Sequence, residues 1–249
     1  MAHPLLQARG RPAVADFVEL WVYLASTPLF GLTATLVTYV VAQAVYERLG
    51  QAPWANPVLW SVLAIGSALV LTGTSYPSYF AGAQFIHVLL GPAVVALAWP
   101  LWQRRAELRA RGLRLVLAGL AGGVATVATA IGLGLMLELP GEVIRSLIPK
   151  SVTAPVAMGL ADRLGGVPAM AAVFAVLTGM VGAVSAKALF GLLRVHDWAV
   201  RGFALGTTSH GIGAARAMQV HPDAGAYAGL ALALQVLLAS LWMPWLARW

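Results

Sequence analysis

The run LVLAGLAGGVATVATAIGLGLML, residues 115–137, contains no Asp, Glu, Lys or Arg. A helix needs roughly 20 such residues to cross the hydrocarbon core of a bilayer. In lipid its backbone groups must also be satisfied within the segment, which a helix does and a lone strand does not. The run lacks the alternation of a barrel strand, so it predicts a transmembrane helix. Working outward, residues 20–46, 49–103, 164–186 and 224–247 are equally free of formal charge, and the second of these is long enough for two crossings. Of the 249 residues, 60% are hydrophobic and 10% charged, with a mean hydropathy of +0.81. A soluble domain carries about 25% charged and about 45–50% apolar residues. The chain reads as an all-α polytopic membrane protein with roughly 6–8 membrane segments, counting broken or re-entrant ones.

The net charge of +7 does not point to nucleic acid. The positive residues gather in loops between apolar runs. Arg104, Arg105, Arg109, Arg111 and Arg114 face only Glu107, and Lys187, Arg194 and Arg201 form a weaker group. Loops of this kind stay cytoplasmic. There is no cysteine, which excludes disulfides, thiolate metal sites and a cysteine nucleophile. Residues 1–25 show no signal-peptide pattern and read as an N-terminal extension, with residues 26–249 as the transmembrane domain.

Helices are expected over 26–46, 57–75, 113–137, 168–190 and 224–246, with Gly112 opening the third and Asp223 capping the last. The segments between them differ. Residues 78–102 are interrupted at Gly91 and Pro92, residues 142–163 at Pro149 and Pro155, and residues 196–219 at Gly206, Gly211 and Gly213. Proline removes a helical hydrogen bond and glycine weakens a helix by about 1 kcal/mol. Backbone freed at membrane depth must line protein or a water-filled cavity, so these residues are expected to line a cavity or act as hinges. The order helix, broken segment, helix recurs at an offset of about 111 residues, a pattern common in secondary transporters. Keeping both basic loops on one side requires residues 142–163 to be re-entrant.

GTTSHGIGAARAM, residues 206–218, concentrates polar residues where lipid surrounds the chain. As a loop it would be bland, but its apolar flanks leave little room for one. Read as a helix that unwinds between Gly206 and Gly213 and restarts near Ile212, it offers free N–H groups and a partial positive charge to an anion. Thr207, Thr208 and Ser209 add hydroxyls, His210 a hydrogen bond or a proton, and Arg216 a bidentate charge. A Ser209–His210 hydrolase pair lacks the elbow such a nucleophile needs. The histidines are too scattered for a metal site, so neither enzyme nor metal chemistry is expected. IPKSVTAPVAM, residues 148–158, repeats the logic with Lys150, Ser151 and Thr153. Lys150 is either an interfacial lysine snorkelling to water or a cation facing an anionic ligand. Gly119, Gly122 and Gly123 suit close helix packing.

The stretches LLGPAVVALAWPL (89–101), PKSVTAPVAMGLADRLGGVPAMAAVFAVLTG (149–179), VRGFALGTTSHGIGAARAM (200–218) and GAYAGLALAL (225–234) together resemble the LrgB/CidB family of bacterial membrane proteins. The resemblance covers about residues 26–246. It implies a multi-pass protein of the bacterial inner membrane. Family members are described as modulators of murein hydrolase export and autolysis, working with a holin-like partner of the LrgA/CidA type. A plastid relative carries glycolate and glycerate, and some bacterial members are linked to pyruvate. Embedded cations and paired broken helices suit a carrier of small monocarboxylates better than a lesion-forming holin. The expectation is therefore a secondary carrier for glycolate, glycerate, lactate or pyruvate, with Lys150, Ser151, Thr153, Thr207, Thr208, Ser209, His210 and Arg216 lining the site. The alternative is a holin-like auxiliary protein that tunes cell-wall hydrolases. No cofactor is expected beyond a coupling proton or Na+. Expected partners are the bilayer, a small organic anion, an LrgA/CidA-like membrane protein and a second copy in a homo-oligomer, with no nucleic acid.

Overall fold

The computed structural model describes residues 29–248 apart from 90, 91, 93, 94 and 97. All regular elements among them are helical: α1 (Phe30–Arg48), α2 (Pro57–Thr72), α3 (Tyr76–Val88), α4 (Ala98–Gln103), α5 (Arg105–Met136), α6 (Gly141–Leu147), α7 (Ala154–Leu164), α8 (Pro168–Leu192), α9 (Trp198–Val220) and α10 (Pro222–Trp242), with short 3-10 turns at Pro53–Ala55 and Met243–Arg248. The chain divides into two compact units at Leu89. α5, α8 and the last helix, Pro222–Ala247, are long and apolar enough to cross a membrane. The protein is an all-α polytopic membrane protein.

In the first unit α1 packs on α2 and α3. Gly31 lets α1 approach the α3 backbone beside Ala83, and Thr35 shares a hydrogen bond of 2.6 Å with the Tyr79 hydroxyl. α2 starts where Asn56 accepts from the backbone N–H groups of Val58 and Leu59, with Pro57 in the first position.

The second unit carries the polar motifs. α5 begins at Arg105, not near residue 113. Gly112 therefore lies inside the helix rather than opening it, because the Arg, Leu, Ala and Glu around it are good helix formers and outweigh one glycine. The cap of α10 is His221, whose Nδ1 accepts from the Asp223 N–H, rather than Asp223 itself. Asp197 caps α9 through its Oδ1 to Ala199 N (2.7 Å) and Val200 N (3.1 Å).

Two helical hairpins set the architecture. After α5 ends, α6 turns back along it: Ile144 lies against Gly134, and Lys150 reaches Thr126 farther inside. The chain turns through residues 148–153, and α7 then returns. Gly166 packs on Ser146, and Val167 N donates to Ser146 Oγ at 2.8 Å. Residues 142–163 thus form a hairpin, the arrangement that keeps both basic loops on one side. The arm α7 has 11 residues, about 16 Å at 1.5 Å per residue, or half a bilayer core.

α9 is a second hairpin. Its backbone is helical through Ser209, breaks at His210 (φ 41°, ψ −136°) and is helical again from Gly211. Gly213 touches the carbonyl of Leu205, eight positions earlier and about 12 Å away had the helix continued straight. The arms 198–209 and 211–220 therefore run back to back. Gly202 and Gly206 lie against the backbone of Ala224 and Ala228 on α10, and Gly225 meets Met218 on the return arm. This pattern of small residues at four-residue spacing lets helices in lipid approach closely. The expected unwinding from Gly206 to Gly213 is thus a turn at a single residue. Gly206 is helical and serves close packing, because the adjacent α10 leaves no room for a side chain.

The hairpins enter from opposite ends. The first starts beside the end of α5 and the second beside the end of α8, which runs back toward the basic loops. The expected repeat at an offset of about 111 residues passes through residues 90–97, where Gly91 and its neighbours lie outside the described residues. Pro92 is helical and exposed. The described residues contain a shorter inverted order: a spanning helix followed by a hairpin, twice.

Candidate functional site

The tip of the first hairpin is IPKSVT, residues 148–153. Pro149 and Val152 bury themselves, and the latter joins a core with Val127, Ala157, Ala171, Ala175 and Met243. Burying both apolar neighbours turns the polar residues between them inward. Lys150 Nζ donates to the carbonyl of Thr126 on α5 at 2.7 Å. An ammonium has three protons to donate, and among the described residues no carboxylate pairs with it. Ser151 is 1% exposed. Its hydroxyl and that of Thr153 have no hydrogen-bond partner. α7 starts directly after, with Pro155 in its first turn, as expected of a helix N-terminus.

The tip of the second hairpin is TTSHG, residues 207–211. His210 is 4% exposed, and its Nε2 meets the carbonyl of Ala175 on α8 at 2.7 Å. A carbonyl only accepts, so Nε2 carries the proton. Gly179 and Gly182 on α8 make room for the ring and for Ser209. Thr208 donates to Ala204 O (2.9 Å) and meets Ser209 Oγ at 3.2 Å. The Thr207 hydroxyl, 3% exposed, has no partner. Ser209 and the His210 ring thus bond to different groups, and no nucleophile–base pair forms between them.

Both tips reach the same depth. Thr126, which holds Lys150, stands at the centre of the uncharged run 115–137. Ala175, which holds His210, stands at the centre of 164–186. α5 connects them: Thr207 lies against Gly122, one helical turn from Thr126. Val156, just past the first tip, packs on the cluster that includes Leu205 and Ala214 of the second hairpin. Lys150, Ser151, Thr153, Thr207, Ser209 and His210 are therefore gathered in one layer across the middle of the apolar helices.

Cavities reach this layer from the end that bears the arginines. One of about 500 Å3 runs from Arg111 and Arg114 to Thr207 and Thr208. Another of about 800 Å3 runs from Arg104 to Gly211, past Ala214 and Gly229. Tyr227 stands between the two mouths, its hydroxyl bonded to Glu107 and its ring under the Arg104 guanidinium. Gly211 has open space where a side chain would begin, while Gly213 is packed between the arms.

Arg216 is not drawn into the layer. It is half-buried on the return arm, and its guanidinium donates to Gln219 Oε1 at 3.3 Å. The sequence reading also missed a polar residue. Gln235 on α10, at the centre of the run 224–247, is 1% exposed, and neither atom of its amide has a partner. A lone glutamine in LALQVLLASL is a readable signal, since such a residue in lipid faces the bundle interior. The helix carbonyls at Thr126 and Ala175 left no signal, because any residue supplies one. Among the described residues no group of three His, Cys, Asp or Glu could hold a metal.

Opposed helical hairpins whose tips carry buried polar residues, packed among apolar spanning helices, define a class of membrane protein with a polar interior. Within that class the chain belongs to the LrgB-like family, whose model matches residues 35–249. It is 30% identical over 219 residues to the Bacillus subtilis protein YwbG, covering 88% of this chain and 96% of that one. Identity to Bacillus subtilis YxaC is 33%, over 84% and 91% of the two chains. Identity to a Staphylococcus aureus relative named holin-like protein CidB is 28%, over 87% and 94%. No solved structure matches the chain.

Proposed function

We propose that this protein carries a small organic anion, of the glycolate, glycerate, lactate or pyruvate kind, across the bacterial inner membrane. The observation that supports this best is Lys150. Its ammonium sits at mid-depth on one backbone carbonyl with no carboxylate beside it. A charge at that depth costs about 2.5–3.5 kcal/mol or more, and a bound carboxylate offsets it. The N-termini of α7 and of the return arm 211–220 add partial positive charge at the same level. Ser151, Thr153, Thr207, Thr208, Ser209 and His210 supply neutral polar groups. Hairpins of opposite sense around one polar layer are the kind of arrangement on which alternating access is built.

A second reading is favoured by the relatives. Staphylococcus proteins aligned over most of this chain are named holin-like, and those names speak for a holin-like role more directly than for transport. Liposomes containing the purified chain separate the two. The carrier takes up labelled lactate, pyruvate or glycolate saturably, retains a trapped dye, and loses uptake in Lys150→Gln. Dye leakage, or absence of acid uptake until a partner is added, supports the auxiliary role and overturns the carrier.

A further inference from the structure

The polar layer has a contact that belongs to neither hairpin. Gln235 projects from the middle of α10 into a notch on α5 made by Gly122 and Gly123. A methyl group at Gly123 would stand 2.5 Å from Gln235 Nε2, and one at Gly122 would stand 2.8 Å from Thr207 Cγ2. The paired glycines thus admit two polar side chains, from different helices, at adjacent positions of α5. One turn farther on, that helix holds Lys150 through Thr126. The Gln235 amide is 1% exposed and the Thr207 hydroxyl 3%, and the amide nitrogen, the amide oxygen and the hydroxyl all lack partners. An unpartnered buried polar group is costly, by roughly 1–3 kcal/mol. Leucine, the residue type around it, would fill this position on an apolar helix without that cost.

We propose that Gln235, with Thr207, is a solute contact that sets specificity at the position beside the anionic group. This rests on the carrier reading for where the anion lies. An amide offers one donor and one acceptor side by side. It therefore matches a substituent that both accepts and donates, such as a hydroxyl, better than one that only accepts, such as a keto oxygen, and far better than a plain methylene. A site built to hydrogen-bond a substituent discriminates against the analogue lacking it, because its own groups are then left unpaired. The spanning helix reads the neutral part of the solute, while the hairpin tips hold the charge.

The test uses the full chain in liposomes with labelled lactate, pyruvate and propionate. Wild-type protein should prefer lactate over propionate by at least about tenfold, the effect of roughly 1.4 kcal/mol, with pyruvate between. Gln235→Leu should flatten this order while propionate uptake continues, and Thr207→Val should do so in part. If Gln235→Leu is not monodisperse, Gln235→Asn replaces it, its amide one methylene short of the notch, and the same flattening is expected. Wild-type preference retained in these variants overturns the proposal. A parallel measurement reads binding without transport, as the shift in melting temperature on adding millimolar lactate. Liposomes that take up none of the acids sink the carrier reading alone. Lactate that then still protects wild type but not the Gln235 variant upholds the contact, and equal protection of both, or of neither, overturns it.

Discussion

Lys150 brings a formal positive charge to the polar layer. Charge-assisted hydrogen bonds contribute about 1.5–3 kcal/mol, so Lys150→Gln should weaken solute binding roughly tenfold to a hundredfold in an uptake assay. Arg216→Gln should have a much smaller effect at matched expression, because that guanidinium is engaged by Gln219 on the return arm. Equal losses in both variants would return Arg216 to the site. His210 gives a different kind of test. Its φ of 41° lies where glycine is comfortable and other residues are strained by about 1–3 kcal/mol. His210→Gly removes that strain and loses one hydrogen bond of about 1 kcal/mol, so it should melt at or above the temperature of His210→Ala. Uptake should fall about tenfold or more in both variants. A His210→Gly protein that melts well below His210→Ala would show that position 210 does not hold the strained backbone of the turn.

At the scale of the element, glycines that look alike in sequence have opposite roles. Gly202 and Gly206 lie directly against the α10 backbone, whereas Gly211 faces open space at the turn. Gly206→Ala should therefore destabilise the protein by about 1–3 kcal/mol through overpacking. Gly211→Ala should be tolerated, with its melting curve in detergent close to wild type. The reverse order would mean that the first arm of α9 does not pack on α10. The sequence made the second hairpin legible as a disturbed helix but not as a hairpin, since glycine in a helix signals weakness and close packing equally well. The first hairpin was more legible. Prolines remove donors at fixed positions, and the positive loops on either side demanded an even number of crossings.

For the whole molecule, the two hairpins fix which loops share a side. Arg109 and the loop after α8 belong at one end, and the turn around Glu142, where the first hairpin enters, belongs at the other. The chain has no cysteine, so single replacements can be labelled without background. In intact cells a membrane-impermeant maleimide should label Glu142→Cys and spare Arg109→Cys and Arg194→Cys until the membrane is opened. Labelling of Glu142→Cys and Arg109→Cys from the same side would mean that α5 does not span.

That the protein lives in lipid, where its long apolar helices run, and that the chain breaks near Pro149 and within 206–213 are all legible in the order of its residues. Those properties follow from local chemistry: uncharged length, missing donors, and hydroxyl and basic residues among apolar ones. Tertiary packing alone shows that both breaks are hairpins of opposite sense and that their tips bond to the middle of spanning helices. Only there did Arg216 fall away from the polar layer and Gln235 enter it. Depth and facing depend on how helices far apart in sequence pack, and small residues such as Gly122, Gly179 and Gly206 permit that packing without announcing which partner they admit.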